Sequence, residues 1–444
     1  MTIDIGRIPA ALALTLSVLL TVAIPSVGLS AQELTLREAI ESALATHPTV
    51  HGVRAREVQA REAISANRGS LWPTLAVDLS LNQFQEPMLA QPLHDFDPTR
   101  VPTFDETLLQ GRLGAQYTLL GGGRSSRIES SEANLEAVRA QARVVEDDVM
   151  EAVAQAYLSV LSSRAMSAAV EATVTSLTEE VARAQDNFDA GTAPAVNVLR
   201  ADVALKDALA HQTDADAAVE LSERRLARWI GEPVEAIRGA SIANVRLGPT
   251  DFSSATGINP RVESAERRAE AVRAQLSERR SARHPKLNLN AGVVDYSSGS
   301  GSHALEWQAG VALSWAIFSG GTRRASVRGA EAEVAAAESE ISSTRLVVEQ
   351  ETDMARTTIE TAEARAIALA ASVEQWEELT RIEALAIEAG TGVQSDLLRA
   401  EAGLFQARAG HTQAYYEAVL ARVRLAKAQG ILNRSWIAEV LEGS

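Results

Sequence analysis

The stretch Asp189-Ala190-Gly191-Thr192-Ala193-Pro194-Ala195-Val196-Asn197-Val198-Leu199-Arg200-Ala201 returns 199 residues later as Glu388-Ala389-Gly390-Thr391-Gly392-Val393-Gln394-Ser395-Asp396-Leu397-Leu398-Arg399-Ala400. In both copies a Gly-Thr turn separates two long segments of helical spacing. Gly191 and Gly390 stand where a helix ends in the left-handed conformation. Thr192 and Thr391 are placed to start the return helix. A helical hairpin that occurs twice points to a duplicated chain.

The landmarks upstream keep the same order. Leu120-Gly121-Gly122-Gly123 matches Phe318-Ser319-Gly320-Gly321 at an offset of 198. Trp72-Pro73 matches His284-Pro285, and His47-Pro48 matches Asn259-Pro260, both at 212. The offset changes because 83–107, rich in Pro and Asp, is longer than its counterpart near 297–302. Each half therefore has one plan. A helix (36–68, broken at Pro48, or 261–283) leads to two strands, a very long helix (125–189 or 322–389) and a return helix (196–230 or 393–430). The first repeat is predicted over 32–230 and the second over 260–432. Between them 231–259, with Pro233, Gly239, Gly248, Pro249 and Gly257, reads as a linker with at most short elements. Residues 433–444 read as a C-terminal tail. Residues 1–31 read as an export signal: Arg7, an apolar run over 8–24, and small residues up to Ala31. A retained anchor is the alternative, although the run is short of the about 20 residues that span a bilayer.

The strands alternate. Leu75, Val77, Leu79 and Leu81 oppose Thr74, Asp78, Ser80 and Asn82, with Leu71 taken as part of the same run. Leu109, Leu113 and Tyr117 oppose Gln110, Arg112 and Gln116. Leu287, Leu289 and Val293 oppose Asn288 and Asn290, and Leu305, Trp307, Val311, Leu313, Trp315 and Ile317 oppose Glu306, Gln308 and Ser314. Each strand is long enough to cross a bilayer when tilted. Trp72, Tyr117, Trp315 and Phe318 gather at the helix-proximal ends, and Phe84, Tyr296 and Trp307 nearer the far ends. This is the placement of two interfacial aromatic girdles. A half-buried sheet of a soluble domain alternates too, but the export signal and the aromatic placement favour a membrane barrel. Four strands cannot close one, and an open edge cannot face lipid, so several copies must share it. An interior of Asn, Gln and Ser is wet, hence a pore.

Helices of about 65 residues rise about 100 Å and need neighbours along their length. Val334, Ile341, Val348, Ala355, Ala362, Leu369 and Trp376 recur every seven residues, which is coiled-coil spacing. An antiparallel coiled coil without a tunnel has the same pattern. The net charge of −16 argues against nucleic-acid binding. The chain has no Cys, and of its histidines only His47 and His51 are four apart, with Pro48 between them. No metal site, cofactor motif or catalytic set is expected. The Gly121-Gly122-Gly123-Arg124 run suits a strand-to-helix bend better than an anion site.

Taken together, Leu34-Thr35-Leu36-Arg37-Glu38-Ala39-Ile40 with His47-Pro48, Leu71-Trp72-Pro73, the run Tyr117 to Arg124, Gly191-Thr192 with Val198-Leu199, and their second-half equivalents resemble the TolC family of outer-membrane efflux and secretion channels. The resemblance implies an α+β membrane protein with two structural repeats, each carrying two transmembrane β-strands and long coiled-coil helices. It implies a homotrimer whose 12-stranded β-barrel continues as a periplasmic α-barrel. It also implies a place in the cell outer membrane of a Gram-negative bacterium, contact with outer-membrane lipid, and docking to a periplasmic adaptor protein and an inner-membrane pump of RND or ABC type. The activity implied is passive conduction in efflux or type I secretion, gated at the helix tips. On this resemblance Asp396, Arg399, Asn197 and Arg200 are aperture candidates. Asp396 matches a family aperture acid, whereas Arg399 replaces a second acid and Gly392 an arginine. A ring of three Asp396 near three Arg399 is therefore expected to have a weaker net field, with an inter-subunit Asp396–Arg399 lock as a hypothesis. Gly191, Thr192, Gly390, Thr391 and Gly392 are the tip turns and candidate adaptor contacts. A periplasmic adaptor and a soluble coiled-coil scaffold are the rival readings, and neither calls for two complete repeats with paired strands.

Overall fold

The computed structural model describes residues 34–86, 88–89, 103–104, 106–121, 123–239, 242–245, 257–298 and 303–442, so the export signal expected over 1–31 lies outside the described residues. Helix α1 (Leu36–Thr46) opens on a capping box. The Thr35 hydroxyl accepts from the Glu38 N–H at 3.2 Å, and the Glu38 carboxylate accepts from the Thr35 N–H at 3.0 Å. Pro48 lacks an N–H, so α1 stops and α2 (Pro48–Gly69) begins there with His47 as its cap. Strand β1 (Thr74–Gln83), the two-residue hairpin β2 (Met88–Leu89) and β3 (Thr103–Phe104), and β4 (Thr107–Leu120) follow. Then come α3 (Arg124–Asp189), α4 (Ala195–Ile230) and α5 (Val234–Gly239). The second half repeats the plan with α6 (Pro260–Ser281), β5 (Lys286–Ser298), β6 (His303–Ser314), α7 (Thr322–Glu388) and α8 (Gln394–Ala428).

The long strands form one antiparallel sheet in the order β1-β4-β5-β6. They are shifted from the expected limits at two places. β1 starts at Thr74, after Pro73, and β6 stops at Ser314 opposite Lys286. The residue before Lys286 is Pro285, which cannot donate to the ladder, so Trp315 and Ile317 lie beyond the strand. The Trp315 indole N–H donates to the Arg283 carbonyl instead, at 3.1 Å.

Near the sheet the helices pack in the order α2-α3-α6-α7, and toward the tips in the order α4-α3-α8-α7. The expected seven-residue row of α7 is buried or half-buried along its length, with Ala355 and Ala362 fully buried, while Glu338, Glu340, Arg345, Glu349 and Arg356 are exposed. The main core is a collar halfway along α3, where Val149, Val153, Tyr157 and Val160 meet α1, α4 and α8. Ile237 and Val245 of the expected linker are buried in it. So are Trp436, Ile437 and Leu441 from α9 (Arg434–Ile437) and the π-turn Ala438–Glu442, which therefore pack as part of the body.

At this collar short helices are spliced end to end. The Asn259 side chain accepts from the Arg261 N–H at 2.8 Å to cap α6, and donates to the Ala428 carbonyl at 2.8 Å to close α8. The matching joint has His47, whose ring stacks on Trp229 at 4.6 Å. There the Ser42 hydroxyl donates to the Ile230 carbonyl at 2.8 Å, closing α4 over α2. The Tyr157 hydroxyl lies 2.9 Å from the Leu34 carbonyl and 2.6 Å from the Ala243 carbonyl, tying both flanking segments to α3. Asn259→Ala removes a cap at both helix ends and is expected to cost about 1–2 kcal/mol. Tyr157→Phe is expected to cost about 1 kcal/mol by removing the hydroxyl that bridges the Leu34 and Ala243 carbonyls. Denaturant titration of the detergent-extracted protein measures both.

Candidate functional site: the strand face and the helix tips

Strand register aligns the side chains in rows. Val77, Leu113, Val293 and Trp307 form one row, and Asp78, Arg112, Val294 and Glu306 the next. Because faces alternate along each strand, odd-numbered positions make one apolar face and even-numbered positions a mostly polar one. The apolar face is uncovered: Leu79 is 74% exposed, and Leu75, Val77, Leu305 and Val311 are similarly bare. A large apolar sheet face left in the open marks a surface meant for lipid or partners. The opposite face carries Asn288, Asn290, Gln116 and Gln308.

Trp72, Trp315 and Phe318 are exposed at the helix-proximal end of the sheet. Tyr117 is half-buried there, with the Arg124 guanidinium 6.0 Å from its ring centroid. Trp307 sits inside β6 opposite Val293, and Tyr296 belongs to the polar face, so these two do not share a girdle.

Both hairpins turn as their glycines require. Gly191 has φ 72° and Gly390 φ 73°. The threonines act differently from expectation. The Thr192 N–H and hydroxyl both donate to the Asn187 carbonyl, at 2.9 and 2.8 Å. Those of Thr391 donate to the Ala386 carbonyl, at 2.9 and 3.2 Å. A hydroxyl donor is drawn to the orphan carbonyls of a last turn. The threonines therefore finish α3 and α7, and the return helices start after Pro194 and Val393 without a side-chain cap. Gly392 donates its N–H to the same Ala386 carbonyl at 2.8 Å.

Asn197 is half-buried and Arg200 exposed in the first turns of α4. On α8, Arg399 pairs with Asp396 of its own chain at 3.0 Å, one turn away. An exposed pair of this kind contributes at most about 1 kcal/mol. Sequence reasoning missed a second group behind the tips. Glu180 of α3, held by Arg183 of the same helix, meets Gln394 of α8, and Ser176 of α3 meets Glu401 of α8. Gln394, Leu397 and Glu401 are all buried, at heptad spacing on one face of α8, and that spacing is the signal that could have exposed the group.

Residues 39–232 and 252–431 match the family described as outer membrane efflux protein. The chain belongs to that family. Protein CyaE of Bordetella pertussis is 27% identical to it over 424 residues, 91% of this chain and 86% of CyaE. The solvent efflux pump outer membrane protein SrpC of Pseudomonas putida is 27% identical over 292 residues, 63% of this chain and 60% of SrpC. Among solved structures, the outer membrane protein VceC of Vibrio cholerae superposes with a TM-score of 0.75 at 19% identity, over 89% of this chain and 96% of VceC. The CmeC outer membrane channel of Campylobacter jejuni gives 0.77 at 16% identity, over 91% and 88%. This outer membrane efflux protein thus has the channel fold, lies in the outer membrane with a periplasmic portion, and is a conduit rather than an enzyme. The adaptor and scaffold readings fall with that assignment.

At the tip, Gly390→Ala meets open space but must hold a left-handed backbone. It is expected to lower stability by about 1–2 kcal/mol, with Gly390→Asn closer to the native value, on thermal denaturation.

Proposed function

We propose that three copies of this chain form an exit duct, a 12-stranded barrel in the outer membrane continued by a helical tunnel whose mouth is the ring of hairpin tips. The observation that carries it is the open sheet: one apolar face, one polar face, and two unpaired edges, β1 and β6. The helical layer is open along the same lines. Among the described residues α7 packs mainly on α6 and α8 and exposes Leu346, Val347, Ile367 and Ile382, while α4 exposes Leu199 and Val203 on the other edge. Joining edge to edge would bury both sets and pair every strand.

In this reading the apolar face meets outer-membrane lipid, with Trp72, Trp315 and Phe318 at the periplasmic boundary. Asp396, Arg399, Asn197 and Arg200 line the mouth. Gly191, Thr192, Gly390, Thr391 and Gly392 form the surface offered to a periplasmic adaptor, and an inner-membrane pump of RND or ABC type supplies the cargo. The repeats 32–230 and 260–432 are the two halves of each subunit, preceded by an export signal over 1–31. Within one chain Asp396 already pairs with Arg399, and in this reading that pair is the starting arrangement at the mouth.

Native mass measurement and planar-bilayer conductance on one purified sample test the duct. A trimer with discrete conductance steps is expected, and monomers that never conduct would sink the reading. Leu79→Arg on the lipid face is expected to cost about 2–4 kcal/mol and to deplete the protein from outer-membrane fractions. Gln110→Arg on the polar face should leave membrane levels unchanged. Replacing both Asp396 and Arg399 by Ala should raise single-channel conductance by about twofold or more.

A further inference from the structure

The acidic group behind the tips has chemistry that conduction alone does not call for. Glu180 on α3 is 3% exposed and Glu401 on α8 is 8% exposed. Glu180 is well served. Its carboxylate accepts from Gln394 Nε2 at 3.0 Å and from an Arg183 guanidinium N–H at 2.9 Å. Glu401 accepts one hydrogen bond, from the Ser176 hydroxyl, and its other oxygen is buried without a partner. That oxygen is closed to water. A bare carboxylate in such a place costs several kcal/mol, and a proton is the one partner small enough to relieve it.

The surroundings offer little counter-charge. Arg183 is already committed to Glu180. From α4, Asp207 and His211 line a cavity of about 400 Å³ that Glu401 also borders, and the His211 ring stacks on Phe405 with centroids 6.0 Å apart. On the α7 side, Glu377 pairs with Arg408 at 2.7 Å and Trp376 packs against Gly403. Closer to the tip, Asp396 and Arg399 pair with each other.

We propose that this seam is a proton-operated latch between the two hairpins: Glu401 is held as the neutral acid while α3 and α8 are packed, and its ionisation as pH rises loosens the tips. The proposal rests on the reading of the tips as the mouth of a duct. Burial pushes the Glu401 carboxyl up, and the neighbouring Glu180 charge pushes it further, while Ser176 and Arg183 oppose them. Burial also pushes Glu180 up, against Arg183 and Gln394. An acid whose proton is bound more tightly in the packed state favours that state at low pH. The preference is lost as pH rises from the ordinary carboxylate range through the raised value.

The chain has no Cys, so spin labels at Gln185→Cys and Ala402→Cys, both exposed, report the α3–α8 separation in the full-length protein. As pH rises from the ordinary carboxylate range through the raised Glu401 value, the label distances should lengthen, and bilayer conductance should rise about threefold or more. Glu401→Gln keeps the shape and the neutral state, so it should hold the acid-form distances and conductance at every pH. His211→Gln should leave the native pH profile in place. Distances that do not move with pH, a profile that survives Glu401→Gln, or opening on the acid side would each overturn the latch. Label distances that follow Glu401 in a protein that never conducts would support the latch and sink the duct.

Discussion

A strand edge cannot face hydrocarbon. Each unpaired N–H or C=O there costs several kcal/mol, so a sheet in a bilayer must close on itself. This chain offers four antiparallel strands, an apolar face and two bare edges. Nothing within the described residues covers either edge. On the proposed reading of the sheet as a membrane barrel, the need for more copies comes from backbone chemistry before any helix is considered. The helices obey the same geometry: the bare side of α7 lies on one flank and those of α2 and α4 on the other, so edge-to-edge joining completes both layers together.

A wall as long as α3, at 66 residues, needs neighbours over its whole length, and the return helices are shorter. The collar solves this by stacking. α4 ends where α2 begins and α8 ends where α6 begins, so α3 and α7 are flanked above and below the joint. A joint between two helix ends leaves orphan carbonyls facing orphan N–H groups. Asn259 has a donor and an acceptor on one side chain and meets both needs. The joints also coincide with the main buried apolar cluster, which Tyr157 shares with α5, α9 and the π-turn.

Much of this was legible because it is written in backbone-specific residues. The paired Gly and Pro landmarks placed the breaks between the long helices, and alternation placed the four long strands. The equivalence of His47-Pro48 with Asn259-Pro260 marked both splices without showing their purpose. What was not legible depends on neighbours. Thr192 and Thr391 have the side chain of a helix start, yet a carbonyl three-dimensionally closer, in the turn just finished, claims the hydroxyl. β6 stops short of Trp315 because its partner strand runs out at Pro285. Ile237, Val245 and Trp436 look like linker and tail because their apolar partners are far away in sequence. The burial of Glu180 and Glu401 depends on α3 and α8 touching, helices far apart in sequence.

The duplication makes the position of those acids informative. Counting 199 residues from the tip, the second-half equivalents of Glu180 and Arg183 are Leu379 and Ile382, and the first-half equivalent of Glu401 is Asp202. Leu379 and Ile382 are partly exposed in a single chain, and Asp202 pairs with Lys206 on its own helix at 3.6 Å. In the proposed trimer those positions form the seam between copies, whereas α3 and α8 form the seam within each copy. The equivalent positions differ: the seam between copies has Leu379, Ile382 and an Asp202 already paired with Lys206, whereas the seam within a copy buries two carboxyls. Apolar burial is nearly indifferent to pH, and a buried carboxyl is not. A tip ring built from alternating seams of these two kinds can stay assembled through its apolar contacts while its hairpins separate at the acidic ones. On the proposed reading, assembly and opening fall to different surfaces of the same helices.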